Sequence, residues 1–306
     1  MFSLASAWFP RPYAPVVLED PRVAALAPWF QRRRWPAWRP VVEPGDRSPT
    51  ASKLGGAAWL APGERWPSCP DCGHPLQLLL QLNTAELPAA SEAAAGPPAL
   101  LQAFYCLRPS NLSARGVDLL ADHRRPSLGR PGDDLCPGEV GSGFQAFGGG
   151  KLVRSVAPPA SADAAPGAAP PPALFPATSV VGWDRTEDFP HLEEQEEMGL
   201  RSEYRFGPGG TRYRLHLDAE GWSSGWIREE PESLLPHAGH GDKLGGWAAF
   251  AQGVEHPSCP DCGEPMAFLF QLESDDHLPV LFGDVGTAHL HRCARHPARV
   301  ALSWAC

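Results

Sequence analysis

The chain has 306 residues, 26 Lys and Arg against 35 Asp and Glu, and a net charge of −9; 43% of its residues are hydrophobic. That apolar share supports a sizeable core and excludes wholesale disorder, while the acidity opposes binding to nucleic acid or to anionic membrane surfaces. The 31 Gly and 36 Pro exclude a fold built on long helices, and no apolar run approaches the roughly 20 residues of a membrane span.

The first residues, MFSLASAWFPRPYAP, lack a basic region and are broken by Pro10 and Pro12, so no secretory signal is read and a cytoplasmic protein is expected. Residues 1–50 read as a helical or irregular segment, with a helix over Arg22–Gln31 and Arg32–Arg34 as its solvated end. Residues 51–156 form the first half. There Leu76, Leu78, Leu80 and Leu82 alternate with Gln77, Leu79 and Gln81, which predicts a half-buried strand; a second strand follows over Leu100–Leu107. Gly148–Lys151 is too short to cradle a phosphate and reads as a flexible turn. Residues 157–176, APPASADAAPGAAPPPALFP, read as a semi-stiff Ala/Pro linker. In the second half, 177–306, a helix is predicted from Pro190 through HLEEQEEMGLRSEY, with acids in the first turn where the helix dipole favours them. Strands are predicted over Thr211–Leu217, Met266–Leu272, Ala288–Cys293 and Val300–Trp304.

The chain repeats itself. Residues 52–82 align without a gap on residues 242–272, an offset of 190, and 18 of the 31 positions are identical. The expected fold is therefore α+β, mainly antiparallel β, in two pseudo-symmetric duplicated halves, each with a zinc-knuckle-like Cys-Pro-Asp-Cys turn.

Eight cysteines in a cytoplasmic protein call for an explanation other than disulfides. Two thiolates separated by Pro-Asp and followed by Gly make a tight turn that aims both sulfurs at one ion. Cys69 and Cys72 would be completed by Cys106 and Cys136, and Cys259 and Cys262 by Cys293 and Cys306, giving two structural zinc sites. Histidine can substitute for a cysteine, and His74, His256, His291 and His296 lie close in sequence. A redox Cys-x-x-Cys needs a helix N-terminus at its first cysteine, whereas here the segment leads into a strand. A four-thiolate zinc has no open position and activates no water. No His-Glu-x-x-His, phosphate loop or Gly-x-Ser-x-Gly pattern accompanies it, so catalysis is not expected.

The repeated Lys-Leu-Gly-Gly offers a candidate partner-binding surface: Lys53, Gly55, Gly56 and Trp59, with Lys243, Gly245, Gly246 and Trp247. Paired glycines allow another backbone or a ring to approach. The competing reading has the glycines serve a bulge and the lysines stand in solvent. Gln81 and Gln271 are read as satisfying buried backbone groups.

The order Lys-Leu-Gly-Gly, Cys-Pro-x-Cys, Gly-x-Pro, Leu-x-x-Gln-Leu, continued by Leu101–Cys106, Lys151–Arg154, Val181–Asp184, Asp188–Pro190, Gln271–Asp276, Gly283–Gly286 and Trp304–Cys306, resembles the YwqG-like bacterial family, a domain of unknown function. Members of that family commonly lack the cysteines, which implies that zinc replaces core packing in this branch. The Gly-Gly, Cys-x-x-Cys, Gly-x-Pro-Met and Phe-Leu-x-Gln series is also similar to the N-terminal part of programmed cell death protein 2. Those relatives are dedicated chaperones of a newly made ribosomal protein. The resemblance implies a binding protein whose partner is another protein or peptide. The expected function is a zinc-stabilised, non-catalytic adaptor or client-specific chaperone. The alternatives are a toxin-neutralising immunity-type protein and an enzyme with its site between the halves.

Overall fold

The structure is a computed structural model that describes residues 16–69, 73, 75–89, 91, 98–106, 127–128, 151–159, 175–250, 252–282 and 286–305. Its strands are β1 Trp35–Pro44, β2 Lys53–Leu54, β3 Gln77–Asn83, β4 Leu100–Tyr105, β5 Ser127–Leu128, β6 Lys151–Val156, β7 Thr178–Asp188 and β8 Leu200–Gly207. They continue with β9 Gly210–Leu217, β10 Trp222–Ser223, β11 Lys243–Gly245, β12 Ala267–Glu273, β13 Leu281–Phe282, β14 Thr287–Arg292 and β15 Val300–Ala305. Short helices are α1 Ala27–Gln31, α2 Leu192–Glu197 and α3 Pro231–Leu234. No helix of the described residues is long and apolar enough to cross a membrane.

The chain divides into two compact units, each assembled from separated stretches. The smaller contains the described part of Met1–Ala37 with Thr186–Gly239 and Gly246–Ala249; the larger contains Trp38–Arg185, His240–Gly245 and Phe250–Cys306. The expected halves, 51–156 and 177–306, are contiguous and do not capture this interleaving.

In the larger unit a mainly antiparallel ten-stranded sheet runs in the order β15-β14-β12-β11-β1-β7-β2-β3-β4-β6. The order is palindromic about β1 and β7, and it exchanges strands. The strand preceding the first repeat, β1, lies beside β11 of the second, and β7 lies beside β2 of the first. The sheet curls until its edges approach, Lys151 Nζ on β6 donating to Leu302 O on β15 at 3.0 Å.

Register repeats as faithfully as sequence. Lys53 faces Gln81 and Leu54 faces Leu80; Lys243 faces Gln271 and Leu244 faces Phe270. The β3–β4 ladder shifts between Leu78 and Leu80, and the β12–β14 ladder between Phe268 and Phe270. This bulge breaks the predicted alternation. An extra residue reverses which face the following side chains occupy, so Leu76 and Leu78 join one apolar cluster while Leu79, Leu80 and Leu82 join another. The first-repeat strand is accordingly buried on both faces and not half-buried. The main core unites both repeats through residues such as Leu54, Leu80, Leu101, Leu244, Phe270 and Leu290. Phe175, at the end of the expected linker, is buried there as well; residues 160–174 lie outside the described ones.

The smaller unit packs Leu26, Trp29 and Phe30 against Leu200, Leu215 and Leu217. The predicted helix from Pro190 stops early. Gly199 takes φ +89°, a left-handed conformation that ends helices, and Leu200–Gly207 pairs with β9 as a strand. The run Arg32–Arg34 is only partly solvated, since Arg34 is 6% exposed and ion-paired to Glu187 at 3.1 Å.

Candidate metal centre

The two Cys-Pro-Asp-Cys turns are anchored alike. Gly73 N donates to Cys69 O at 2.9 Å and Leu76 N to Pro67 O at 3.0 Å; Gly263 N donates to Cys259 O and Met266 N to Pro257 O, each at 2.8 Å. The glycine is required in both, because φ is +71° at Gly73 and +72° at Gly263, where a Cβ clashes with the following carbonyl.

In the second turn the chemistry comes together. Ligand atoms of Cys259, Cys262, Cys293 and His296 all lie within 4.8 Å of one another. Cys262 Sγ is 3.7 Å from Cys293 Sγ, and His296 Nδ1 is 3.6 Å from Cys259 Sγ and 3.8 Å from Cys293 Sγ. With Zn–S near 2.3 Å and Zn–N near 2.05 Å, a tetrahedral zinc sets sulfur–sulfur edges of about 3.8 Å and sulfur–nitrogen edges of about 3.6 Å. These three separations fall within about 0.2 Å of those edges, and the sulfur–sulfur distance is too long for a disulfide. Three of the four sequence-predicted residues are therefore gathered. The fourth candidate donor is His296, which the sequence offers only as one of four nearby histidines able to substitute for a cysteine. Cys306 lies outside the described residues.

Neighbouring groups hold the donors in place. His296 N points at Cys293 Sγ at 3.3 Å, and Cys293 N donates to Arg299 O at 3.0 Å. Arg299 makes a forked pair with Asp261, the second of the two residues between the cysteines of the turn, at 2.7 and 3.0 Å. Ahead of the turn in sequence, His256 packs edge-on to His291, ring centroids 5.9 Å apart. Burial pulls the pKa of His291 down to about 3, which keeps its ring neutral.

In the first turn Cys69 and Cys106 are buried together among Ala58, Leu76, Leu78 and Phe104. Cys72, Cys136 and His74 lie outside the described residues.

The Lys-Leu-Gly-Gly lysines, read either as part of a candidate partner-facing surface or as solvated, are turned inward, against both readings. Lys53 is 0% and Lys243 1% exposed, and Trp59 is buried. Lys53 Nζ donates to Asp46 Oδ1 at 2.5 Å, Ser48 O at 2.9 Å and Ala57 O at 3.3 Å, and burial lowers its pKa. Gly55 and Gly56, with φ +64° and +68°, do admit a close backbone, but it is the chain's own. A Cβ on Gly56 would stand 2.4 Å from Ala177 Cβ, and one on Gly55 2.8 Å from Pro176 O. Gly245 and Gly246 have φ +66° and +72°. A Cβ on Gly246 would meet Asp188 Oδ2 at 2.4 Å. Trp247 stacks on Trp35 at 4.5 Å and donates from Nε1 to Arg33 O at 2.8 Å. The glutamine reading holds. Gln81 accepts from Trp59 N at 2.8 Å and donates to Pro49 O and Ala51 O at 2.9 Å, and Gln271 donates to Gly241 O at 3.0 Å.

A second cluster, Asp242, Asp276 and His277, also draws its polar atoms within 4.8 Å. Its oxygens are engaged: Glu273 N donates to Asp242 Oδ1 at 2.7 Å, Asp242 N to Asp276 Oδ2 at 2.6 Å, and His277 Nδ1 lies 3.0 Å from Asp242 Oδ2. The first repeat makes the same two backbone bonds with other residues, Asn83 N to Ser52 Oγ at 2.9 Å and Ser52 N to Glu86 Oε2 at 2.7 Å. The cluster therefore holds a turn. Motif spacing does not single it out, although the gapless alignment places Asp242 opposite Ser52.

The profile of a family described as a domain of unknown function (DUF1963) matches residues 52–121, which include the first turn and the β3–β4 pair. That segment of the chain is similar to the family, and the match is consistent with the YwqG-like motif series. No curated protein matches the chain.

Proposed function

We propose that the chain is a zinc-stabilised, non-catalytic protein-binding module, an adaptor or client-specific chaperone of the bacterial cytoplasm. The observation that carries the reading is the closed Cys259–Cys262–Cys293–His296 set. Four donors fill the coordination of a tetrahedral zinc, so a zinc bound by this set would fasten the fold and hold no substrate or activated water. Matching registers and turn hydrogen bonds support reading the two repeats as copies of one strand-exchanged unit, with Cys69, Cys72, Cys106 and Cys136 as the donors of a second zinc. Binding is supported by Tyr204 and Phe206, 60% and 79% exposed and in edge-to-face contact with centroids 5.3 Å apart. Large exposed aromatics of this kind anchor protein interfaces. A toxin-neutralising role is the alternative that the same acidic surface fits.

Elemental analysis with affinity capture tests the reading. The wild type is expected to hold about two zinc ions, falling to about one in Cys259→Ser and in Cys69→Ser. Capture from native lysate is expected to return a reproducible partner that Tyr204→Ser/Phe206→Ser loses. Metal-free protein, or capture indifferent to the aromatic pair, would overturn it.

A further inference from the structure

The hairpin β8–β9 of the smaller unit has two unlike faces, because side chains alternate along a strand. Leu200, Ser202, Tyr204 and Phe206 share one face with Leu217, Leu215, Tyr213 and Thr211, their respective cross-strand partners in register. Leu200 and Leu215 enter the core, and the face then runs outward past it, ending in the exposed Tyr204 and Phe206. The other face carries the cations. Arg205 and Arg214 both lie over the ring of Trp226, at 4.4 and 5.6 Å, and Arg201 pairs with Asp218 at 3.0 Å.

Where the first face meets α2 and α3 it forms a groove of about 310 Å³ floored by Leu192, Leu200, Leu215 and Leu235. Its rim is acidic, with Glu193, Glu196, Glu230 and Glu232, and no arginine or lysine is among the described residues that line it. Glu196 and Glu232 are exposed and have no ion-pair partner among the described residues. The wall also contains Gln195, 1% exposed. Its Nε2 donates to Pro190 O and Pro236 O, both at 2.8 Å, which fixes the amide orientation. Its Oε1 is left buried without a hydrogen-bond partner among the described residues. A buried acceptor left in this way calls for a donor, and a donor in an acidic groove would be cationic.

We propose that this groove receives a basic, extended peptide segment of a partner protein. One arginine lays its methylene stem on the leucine floor, as such side chains do on apolar surface. Its guanidinium, with five donors and no acceptor, meets the rim carboxylates and Gln195 Oε1, and the flanking residues lie on Tyr204 and Phe206. An acidic peptide or an anionic lipid surface is repelled by the same rim. The inference rests on the protein-binding reading above and names the class of partner.

The test uses the full chain and fluorescence anisotropy, with a labelled peptide alternating alanine and arginine and its counterpart with glutamate in place of arginine. The arginine peptide is expected to bind and the glutamate peptide not. Glu196→Gln/Glu232→Gln, two exposed positions that leave the fold intact, is expected to weaken binding about tenfold. Arg205→Gln/Arg212→Gln on the reverse face is expected to leave it unchanged. Phe206→Ser is also expected to weaken it; an unchanged affinity there would mean that the groove takes small cations, which overturns a peptide site. Failure of the arginine peptide to bind, or its equal binding to the Glu→Gln variant, overturns the inference. If Tyr204 and Phe206 still govern capture from lysate in that event, the protein-binding reading stands alone; if they do not, both fall.

Discussion

At an offset of 190 the two repeats keep one backbone and fill it differently. Both use a bulge after the first strand turn, a buried lysine, a glutamine that caps backbone groups, and a glycine with φ near +70° behind the second cysteine. The filling has diverged. Trp66 packs edge-on to Phe104 at 5.8 Å in the first repeat; at the matching positions His256 packs on His291 at 5.9 Å. Around the cysteines the first repeat has Ala58, Leu76, Leu78 and Phe104, whereas the second has little beyond Met266 and Ala301. Backbone-directed hydrogen bonds have been kept residue for residue or replaced by equivalents, because an orphaned buried N–H is costly in any copy. Apolar packing near the turns has been exchangeable. Where it is thin, as in the second repeat, four groups able to ligate a metal converge.

The largest expected effect follows from that asymmetry. Cys259→Ser removes one donor of a closed set, and structural zinc contributes on the order of 10 kcal/mol of apparent binding energy to small metal domains. It should abolish metal binding at the second turn and lower the stability of the larger unit by several kcal/mol. Cys69→Ser, beside a fuller apolar cluster of Ala58, Leu76, Leu78 and Phe104, should cost less. Thermal unfolding of both variants, with and without a chelator, checks this; equal losses would break the comparison.

A smaller effect probes what the repeats share. Gly56→Ala would set a Cβ 2.4 Å from Ala177 Cβ at φ +68°, combining a left-handed backbone cost of about 1–2 kcal/mol with overpacking of about 1–3 kcal/mol. Gly63, with φ +80° and nothing within 4 Å of where a Cβ would stand, is the control, and Gly63→Ala should cost only the backbone part. Denaturant midpoints at unchanged slope measure both. Equal costs would mean that the segment leading into β7 yields at Ala177, and that the close approach is not a constraint.

The sequence discloses the repeat, the paired-cysteine turns and the strands β3, β4, β9, β12, β14 and β15 to within a residue or two, since these rest on local spacing and on period two. Three features are hidden for physical reasons. β1 escapes because Pro36, Pro40 and Pro44 read as breakers. All three share one parity along the strand, so their missing N–H groups fall on a single flank. β8 reads as helix because LRSEYRF follows acidic helix formers, and only the left-handed Gly199 separates them. The inward turn of Lys53 has no local signal, because its partner Asp46 and the carbonyls of Ser48 and Ala57 converge only after the chain folds back. At the metal centre, cysteine spacing locates three donors, but His296 competes with three other histidines until the loop after Cys293 is in place.

The last expected effect is a pH dependence that belongs to the second repeat alone. Burial, with Asp276 close by, pushes Asp242 from an ordinary 3.8 up to about 6, against the opposing hydrogen bonds of His277 and Glu273 N. The hydrogen bond to Asp242 raises His277, with Asp276 adding to the effect and burial and Arg39 subtracting. Both groups hold their protons more tightly folded than unfolded. Their stabilisation is therefore present at low pH and lost as pH rises, for Asp242 between 3.8 and about 6 and for His277 on passing above its ordinary 6.5. The first repeat carries Ser52 and Leu87 at these places, and Ser52 keeps the same backbone bonds without a titrating group. Asp242→Ser/His277→Leu thus transplants a filling already known to fit. The wild type should lose on the order of 2 kcal/mol relative to this variant between about pH 4 and about pH 8. Denaturant unfolding of both proteins across that range gives the difference, and changes in metal affinity common to the two cancel in it. Parallel stability curves would mean that the acid–histidine pair is as inert as the serine it replaces, and that the repeats differ only around their cysteines.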